Sequence, residues 1–242
     1  MTKHNLIIIG TYNEVDNIKI LIDRLFKHIK DCFVLVIDDG SPDGTAKIVR
    51  DLMQTNPNLE LLERPKKLGL GSAYKLGFTW GLQRDFENII HMDADLSHRV
   101  RDLAKMIALK ESESEIGLVI GSRWTKGGST INWPLRRQAL SRIANRYVRF
   151  MLGVKTYDST AGFRLYDRTS LAILDLDSVV SEGYAFHIEL TRALTKFGIK
   201  IVEVPIVFRE RAAGVSKRSS KVVKEAMTLV TVWGLKRFLR LK

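Results

Sequence analysis

The chain has 242 residues, of which 45% are hydrophobic and 27% are charged, a composition typical of a globular protein and not of a disordered one. This length can bury a full core within one domain, and the single cysteine, Cys32, excludes an internal disulfide. We expect no signal peptide and no membrane-spanning helix, because no stretch approaches the roughly 20 apolar residues that cross a bilayer.

The net charge of +12 is concentrated in two segments. Residues 116–157 contain eight basic residues and no acidic one, and residues 211–242 contain nine basic residues against Glu225 alone. The rest of the chain is therefore net acidic. Such asymmetry predicts an anionic partner, which could be a nucleic acid, an anionic membrane surface or a phosphorylated ligand. A solvated basic face is the alternative.

The first half of the chain alternates strand and helix patterns. We expect strands at 5–9, 33–37, 59–63 and 88–92, with helices ending near residue 29 and spanning 46–54 and 73–83. This order predicts an α/β, Rossmann-like fold with a mostly parallel sheet flanked by helices.

The second half is less regular. It predicts a strand at 118–121, an arginine-rich helix at 137–152 and a strand or hairpin arm at 199–208. Since no change in composition demands a second domain, we expect one domain over residues 1–220. Residues 221–242 are expected to form a basic, amphipathic C-terminal helix.

Three polar loops follow predicted strands, at 11–14, 38–43 and 93–97. The carboxyl ends of parallel strands meet at one edge of a sheet, and ligands bind outside that edge. The topology therefore predicts a pocket lined by these loops.

Asp93 and Asp95 end one of these strands, and alternation along a strand places both carboxylates on the same side. Two close carboxylates stay ionised at low cost when a cation lies beside them. Mg²⁺ or Mn²⁺ would fit, with coordination positions left for a substrate diphosphate. The alternative is a polar turn with two solvated aspartates.

The loops occur in a distinctive order: Thr11-Tyr12-Asn13-Glu14, Asp38-Asp39-Gly40-Ser41-Pro42-Asp43-Gly44-Thr45, Gly69-Leu70-Gly71-Ser72-Ala73-Tyr74-Lys75 and Asp93-Ala94-Asp95-Leu96-Ser97-His98. With this order and spacing the chain resembles the inverting family-2 glycosyltransferases of the GT-A fold. More narrowly, it resembles the polyprenol-phosphate (dolichol-phosphate) mannose synthases. The narrower likeness depends on Gly121-Ser122-Arg123, Asn132-Trp133-Pro134 with Arg137 and Ser141, Asp158-Ser159-Thr160-Ala161-Gly162-Phe163-Arg164, Ser181-Glu182-Gly183-Tyr184 and Gly214-Val215-Ser216-Lys217.

The resemblance implies roles for matching positions. Residues expected to bind the nucleotide sugar are Thr11, Tyr12, Glu14, Asp38, Asp39, Asp93, Arg211 and Lys217, the last two with Ser216 in a loop that closes over the donor. Residues expected to bind the metal are Asp93, Asp95 and Ser97. Residues expected to bind the lipid phosphate are Arg123, Arg137 and Ser141, and those expected to act in catalysis are Asp95, Arg123 and Arg137.

Two departures from the family pattern stand out. Gly10 occupies a position where the family usually has proline, and Ser97 one where some relatives have a glutamine that assists the metal. Ser is also seen there in relatives, so the metal site is still expected.

The implied reaction transfers mannose from GDP-mannose to a polyprenyl phosphate with inversion. A phosphate monoester is already anionic near neutral pH, so it needs no strong general base to attack. Arginine suits this acceptor because its guanidinium binds phosphate oxygens bidentately. The metal would neutralise the departing nucleoside diphosphate.

The acceptor lipid implies a membrane, so we expect a peripheral protein on the cytoplasmic face. The basic C-terminal helix could lie in an anionic leaflet. A small membrane-spanning partner subunit is one alternative, and a helix packed into the core is another.

Three other functions compete with mannosyl transfer. UDP-glucose:polyprenyl-phosphate glucosyltransfer would use the same site, but the absence of appended transmembrane segments favours GDP-mannose. Nucleic-acid binding is not expected, since the basic segments lack interleaved aromatic residues and leave Asp93 and Asp95 unexplained. An inactive, regulatory protein of this fold is opposed by the presence of both aspartates and the arginines.

Overall fold

The computed structural model describes residues 4–179, 181–210 and 220–240. The strands are β1 Asn5–Thr11, β2 Cys32–Asp38, β3 Leu59–Glu63, β4 Asn88–Asp93, β5 Ile116–Ser122, β6 Ser129–Ile131, β7 Arg164–Asp167, β8 Lys200–Pro205 and β9 Val207–Arg209. The helices are α1 Ile18–His28, α2 Thr45–Met53, α3 Leu70–Leu82, α4 Val100–Ser112, α5 Leu135–Leu152, α6 Arg168–Ala172, α7 Gly183–Lys196 and α8 Ser220–Phe238.

The main sheet has the strand order β3-β2-β1-β4-β7-β5-β8. Its pairs are parallel except where β7 meets β4 and β5, which both run antiparallel to it. The predicted α/β fold with a mostly parallel sheet is confirmed. Because β2, β1 and β4 are adjacent and parallel, the loops that follow them meet at one edge of the sheet, as the topology requires.

Alternating apolar residues give this sheet a core on each face. In β1, Ile7 and Ile9 face the core formed with α1 and α4, whereas Leu6 and Ile8 face the core formed with α3 and α7. The helix α1 contributes Ile18, Leu21, Ile22 and Leu25, whose spacing places all four on one face. Continuous apolar strands buried on both sides are the pattern that a parallel sheet between two helical layers demands.

Several boundaries differ from those predicted. The helix α3 begins at Leu70 and not at 73, and α5 begins at Leu135, directly after Pro134, and not at 137. Proline fits the start of a helix because its missing N–H would have no partner there. The expected strand at 199–208 is divided at Ile206 into β8 of the main sheet and β9, which pairs with β6.

The C-terminal helix α8 packs against α5 and α7. Ala226 and Val230 are buried in this contact, and the hydroxyl groups of Tyr147 and Thr231 lie 2.7 Å apart. The guanidinium of Arg237 lies against Gly153, the residue that ends α5. The helix α8 therefore spans 220–238, where 221–242 was expected, and is docked on the domain. The division of the chain at residue 220 stays a prediction.

Candidate active site

A cavity of about 380 Å³ lies at the edge of the sheet where β1, β2, β4 and β5 end. The loops after β1 and β2 form one wall, and Asp93 and Asp95 lie at the end of β4. Arg123 and Phe208 border the cavity farther along the sheet, and the start of α7 contributes another wall. Carboxylates and a guanidinium therefore line one cavity.

Most of the residues expected to bind the nucleotide sugar line this cavity. They include Thr11, Tyr12, Glu14 and Asp39. Lys67, which the sequence did not identify, also lines the cavity, and its ammonium lies 4.6 Å from the centroid of the Tyr12 ring. An aromatic ring with an adjacent cation is suited to a base and its phosphates.

Asp38 lies outside the lining of the cavity. Its Oδ2 accepts hydrogen bonds from the hydroxyls of Thr11 and Ser41, at 2.8 and 2.6 Å, and Oδ1 accepts from the backbone N–H of Ser41. This buried carboxylate holds the first two loops together. Its predicted contact with the nucleotide stays a prediction.

Asp39 borders the cavity and is anchored by Arg64, which also donates to the carbonyl of Gly69 at 2.9 Å. The backbone N–H groups of Leu68 and Gly69 donate to Asp39 Oδ2 at 3.2 and 3.3 Å. The carboxylate is thereby fixed between β2 and the start of α3, which is a rigid arrangement for recognising a ligand.

The loop after β4 has an unusual backbone at Leu96, whose φ is +62°. This left-handed conformation is costly for a leucine. It accompanies a turn in which the N–H of Ser97 donates to Asp95 Oδ1 at 3.1 Å, and His98 Nδ1 accepts from the N–H of Asp93 at 3.1 Å. The strained backbone of Leu96 therefore lies next to Asp95, in the turn whose hydrogen bonds involve both aspartates.

The charges of both aspartates also affect the pKa of Tyr74, which is fully buried on α3. Burial raises the pKa of the Tyr74 hydroxyl well above its usual value, and the negative charges of Asp93 and Asp95 raise this pKa further. The tyrosine therefore stays protonated beside the two carboxylates.

Asp93 and Asp95 are hard oxygen ligands at the cavity wall, so they fit Mg²⁺ or Mn²⁺. Within residues 4–179, 181–210 and 220–240, no group of three or more His, Cys, Asp and Glu side chains is arranged to hold a metal ion. Substrate oxygens and water would complete the coordination. Ser97, the third expected ligand, is fully buried and is not part of the lining, so its role as a ligand stays a prediction.

Arg123 is buried and paired with Asp158. Its Nε and Nη2 donate to the two carboxylate oxygens, each at 2.7 Å, and its backbone N–H donates to Oδ2 at 3.0 Å. Burial alone would raise the pKa of Asp158, but the guanidinium outweighs this effect and lowers the pKa below its usual value. Since two nitrogens of Arg123 are engaged, only part of its donor edge is left for a ligand in the cavity.

Two further residues support this pair, and the sequence did not identify either role. Glu203 on β8 accepts from the backbone N–H groups of Tyr157 and Asp158, at 2.7 and 2.9 Å. Arg164, which is fully buried, donates to the carbonyls of Ser159 and Ala161 at 2.7 and 2.8 Å. The loop 158–162 is therefore held from both ends.

Arg137 lies in the first turn of α5, with its guanidinium 4.0 Å from the centroid of the Trp133 ring. Nη1 donates to Glu210 at 2.6 Å, so this arginine is paired with a carboxylate. Ser141, one turn later, accepts from the indole N–H of Trp124 at 3.2 Å. All three residues expected to bind lipid phosphate are therefore linked through one aromatic cluster, since Arg123 lies 5.2 Å from Trp133.

The first turn of α7 is a part of the site that the sequence left without a role. Glu182 Oε2 accepts from the N–H of Gly71 at 2.9 Å, and a Cβ on Gly69 or Gly71 would lie within 3 Å of this oxygen. His187 also lines the cavity, and burial together with the charge of Arg164 lowers its pKa well below 6.5. It is therefore a neutral imidazole.

Arg211, Ser216 and Lys217, which were expected in a loop over the donor, lie outside the described residues. Their assignment stays a prediction.

We predict that Asp158→Asn lowers the free energy of unfolding by about 3–5 kcal/mol at pH 7, because it leaves the charge of Arg123 buried without its counterion. The pKa of Asp158 is lowered in the folded protein, so its contribution is complete above about pH 5 and is lost as the pH falls below about 4. Denaturant unfolding of both proteins at several pH values measures this difference. The exposed Asp85→Asn is the control, and an equal effect of the two variants would contradict the prediction.

Residues 6–174 match the family described as Glycosyl transferase family 2. A polyprenol monophosphomannose synthase of Mycolicibacterium smegmatis is 43% identical over 97% of this chain and 88% of its own length. An undecaprenyl-phosphate mannosyltransferase of Micrococcus luteus is 42% identical over 95% of this chain and 93% of its own length.

Two solved structures share the fold. A mannosyltransferase of Pyrobaculum calidifontis in complex with GDP-Man and Mn²⁺ has a TM-score of 0.62 at 19% identity, and the match covers 99% of this chain and 65% of that one. A glucosyl-3-phosphoglycerate synthase of Mycobacterium tuberculosis in complex with Mn²⁺, UDP-Glc and phosphoglyceric acid has a TM-score of 0.70 at 16% identity, over 96% and 80% of the two chains. The family match and both sequence relatives cover most of the chain, and the chain belongs to glycosyl transferase family 2.

Proposed function

We propose that this protein transfers mannose from GDP-mannose to a polyprenyl phosphate, with inversion at the anomeric carbon. The observation that carries the proposal is the arrangement of Asp93, Asp95 and Arg123 around one cavity, in a chain 42–43% identical to two polyprenyl-phosphate mannosyltransferases. The UDP-glucose alternative has only distant support, since the UDP-Glc complex shares the fold at 16% identity.

The donor would occupy the side of the cavity formed by the loops after β1 and β2. Tyr12, with Lys67 over its ring, would contact the base, and Thr11, Glu14 and Asp39 would contact the base and ribose. Asp93 and Asp95 would hold Mg²⁺ or Mn²⁺ beside the diphosphate. When bound, the cation supplies charge neutralisation and Lewis acidity at the departing nucleoside diphosphate.

The acceptor phosphate would enter beside α5, where Arg123 and Arg137 flank Trp133. Because Asp158 fixes Arg123, that guanidinium orients the phosphate from a rigid position. Arg137 is half-buried and can exchange Glu210 for a phosphate at lower cost. The phosphate is anionic at neutral pH, so positioning and charge stabilisation account for the rate, without a strong general base.

Attack by a phosphate oxygen on the anomeric carbon, in line with the departing diphosphate, forms the new C–O bond as the old one breaks. An α-linked donor then gives a β-linked lipid product. The site suits this reaction between two anions because the carboxylates for a cation and the guanidinium of Arg123 line the same cavity.

The surface beside the acceptor entrance is suited to an anionic membrane. Leu140, Ile143 and Phe150 form an exposed stripe on α5, and Leu235 and Phe238 are exposed on α8. Phe150 and Phe238 are in contact, with ring centroids 5.8 Å apart, so the two stripes are continuous. Exposed basic residues border them: Arg136, Arg142, Arg146, Lys236, Arg237 and Arg240.

Apolar residues bordered by cations favour adsorption to an anionic interface. None of the described helices is long and apolar enough to cross a bilayer. We therefore propose that α5 and α8 together contact the cytoplasmic leaflet, where the prediction from the sequence used the C-terminal helix alone. A small membrane-spanning subunit is not needed for this contact.

Incubation of the purified protein with polyprenyl phosphate, Mn²⁺ or Mg²⁺, and GDP-mannose is expected to give a mannolipid detectable by mass spectrometry. The product should disappear with a chelator, and Asp95→Ala should abolish both turnover and metal-dependent binding of the donor. A product from UDP-glucose alone would contradict the proposed donor, and product formation in excess chelator would contradict the proposed cation.

Arg137→Ala is expected to raise KM for the lipid phosphate about tenfold or more, since it removes a charge-assisted hydrogen bond. Glu210→Gln should act in the opposite direction and lower this KM up to about fivefold, because an exposed ion pair contributes at most about 1 kcal/mol. Donor affinity should change little in either variant. Initial-rate kinetics with each substrate varied provide the measurement, and equal loss of donor binding in Arg137→Ala would exclude the acceptor role.

Binding to vesicles that contain phosphatidylglycerol should fall in the double variant Leu140→Ser and Ile143→Ser, because it removes apolar area from the stripe on α5. Phe197→Ser is the matched control, since Phe197 is equally exposed at the end of α7 but lies outside both stripes. Co-sedimentation with vesicles measures binding, and loss with the control alone would place the membrane contact elsewhere.

A further inference from the structure

His187 is a buried polar residue of the cavity that the proposed reaction leaves unused. It lies on α7, is only 4% exposed, and lines the cavity together with Gly162 and Asp93. Its Nδ1 has no hydrogen-bond partner among the residues that the structure describes. Because Nδ1 is buried, a molecule in the cavity would meet the other ring nitrogen, Nε2.

The other ring nitrogen faces the position where a ligand would bind. A Cβ added to Gly162 would lie 3.3 Å from His187 Nε2 and 3.6 Å from Asp93 Oδ1. The absence of a side chain at this glycine therefore leaves a space bordered by the imidazole on one side and the carboxylate on the other. Any side chain at position 162 would occupy that space.

The cation assigned to Asp93 and Asp95 does not call for His187, because Mg²⁺ and Mn²⁺ prefer carboxylate, carbonyl and water oxygens to an imidazole. Nε2 of the neutral imidazole either donates a hydrogen bond or accepts one, depending on the tautomer, and a hydroxyl group can pair with it in both cases.

The position within the cavity identifies the chemical class of the hydroxyl. The loops after β1 and β2 are assigned to the base and ribose, and Arg123 and Arg137 to the acceptor. Glu182, which precedes α7, and His187 on that helix also line the cavity, and none of these assignments uses them. We infer that His187 hydrogen-bonds a hydroxyl of the donor hexose and so distinguishes a sugar nucleotide from the free nucleotide; this inference rests on the proposed function.

The experiment compares the binding of GDP-mannose and of GDP, each with Mn²⁺, by calorimetry. His187→Phe removes the hydrogen-bonding atoms but keeps an aromatic ring, and His187→Gln restores an amide at a similar reach. His91→Phe is the matched control, because His91 is equally buried and stacks on His187 at 5.1 Å but does not line the cavity. Thermal unfolding shows that each variant is folded.

His187→Phe is expected to weaken GDP-mannose about tenfold while GDP binds as in the wild type, a loss corresponding to one hydrogen bond. His187→Gln should recover most of this affinity, and His91→Phe should leave both ligands unchanged. An unchanged ratio of the two affinities in His187→Phe, or the same loss in His91→Phe, overturns the inference. A wild-type protein that binds neither ligand would instead refute the proposed function, so the two failures are distinguishable.

Discussion

The acceptor half of the molecule, meaning β5, α5, β7 and β8 beside the proposed acceptor site, depends on the buried pair of Arg123 and Asp158. It joins the end of β5 to the loop 158–162, and Glu203 ties the same loop to β8 through two backbone N–H groups. A buried arginine without its counterion would be strongly destabilising. The carboxylate of Asp158 therefore holds a positive charge beside the cavity.

Charge is distributed across the cavity in a way that matches a reaction between two anions. In the proposed function, Asp93 and Asp95 would hold a cation beside the donor, and Arg123, which lines the same cavity, would bind the acceptor phosphate together with Arg137. The two arginines differ in mobility, since Arg123 is buried with a fixed partner whereas Arg137 is half-buried with an exposed one. In the proposed function, Arg123 would therefore orient the acceptor phosphate and Arg137 would capture it.

The local patterns of the sequence were sufficient to predict the sheet and the pocket in the first half of the chain, where the donor is proposed to bind. The alternating order of strand and helix patterns predicted a mostly parallel sheet. The polar residues after β1, β2 and β4 predicted the pocket that Thr11, Tyr12, Glu14, Asp39, Asp93 and Asp95 line. The resemblance to a glycosyltransferase family and the fold class are confirmed. The roles of individual site residues stay predictions, and Asp38 and Ser97 lie outside the lining.

The acceptor half could not be derived in the same way because its determinants are distant in sequence. Asp158 is 35 residues from Arg123, and Glu210 is 73 residues from Arg137, so no local spacing indicates either pair. The strand β7 has only four residues and runs antiparallel, which a pattern of alternating strands and helices does not predict. His187 gave no signal, since an isolated histidine on an apolar helix usually belongs to a core.

The antiparallel strand β7 determines where the chain can vary without changing the sheet. The chain leaves the sheet at the end of β5 and returns beside it as β7, so residues 123–163 form an excursion between two paired strands. That excursion contains α5 with its exposed apolar stripe, Arg137 and Asp158. Lengthening a connection between fixed ends costs little conformational entropy. A change in the length or sequence of this excursion would therefore alter the residues proposed to bind the acceptor without altering β1, β2 or β4.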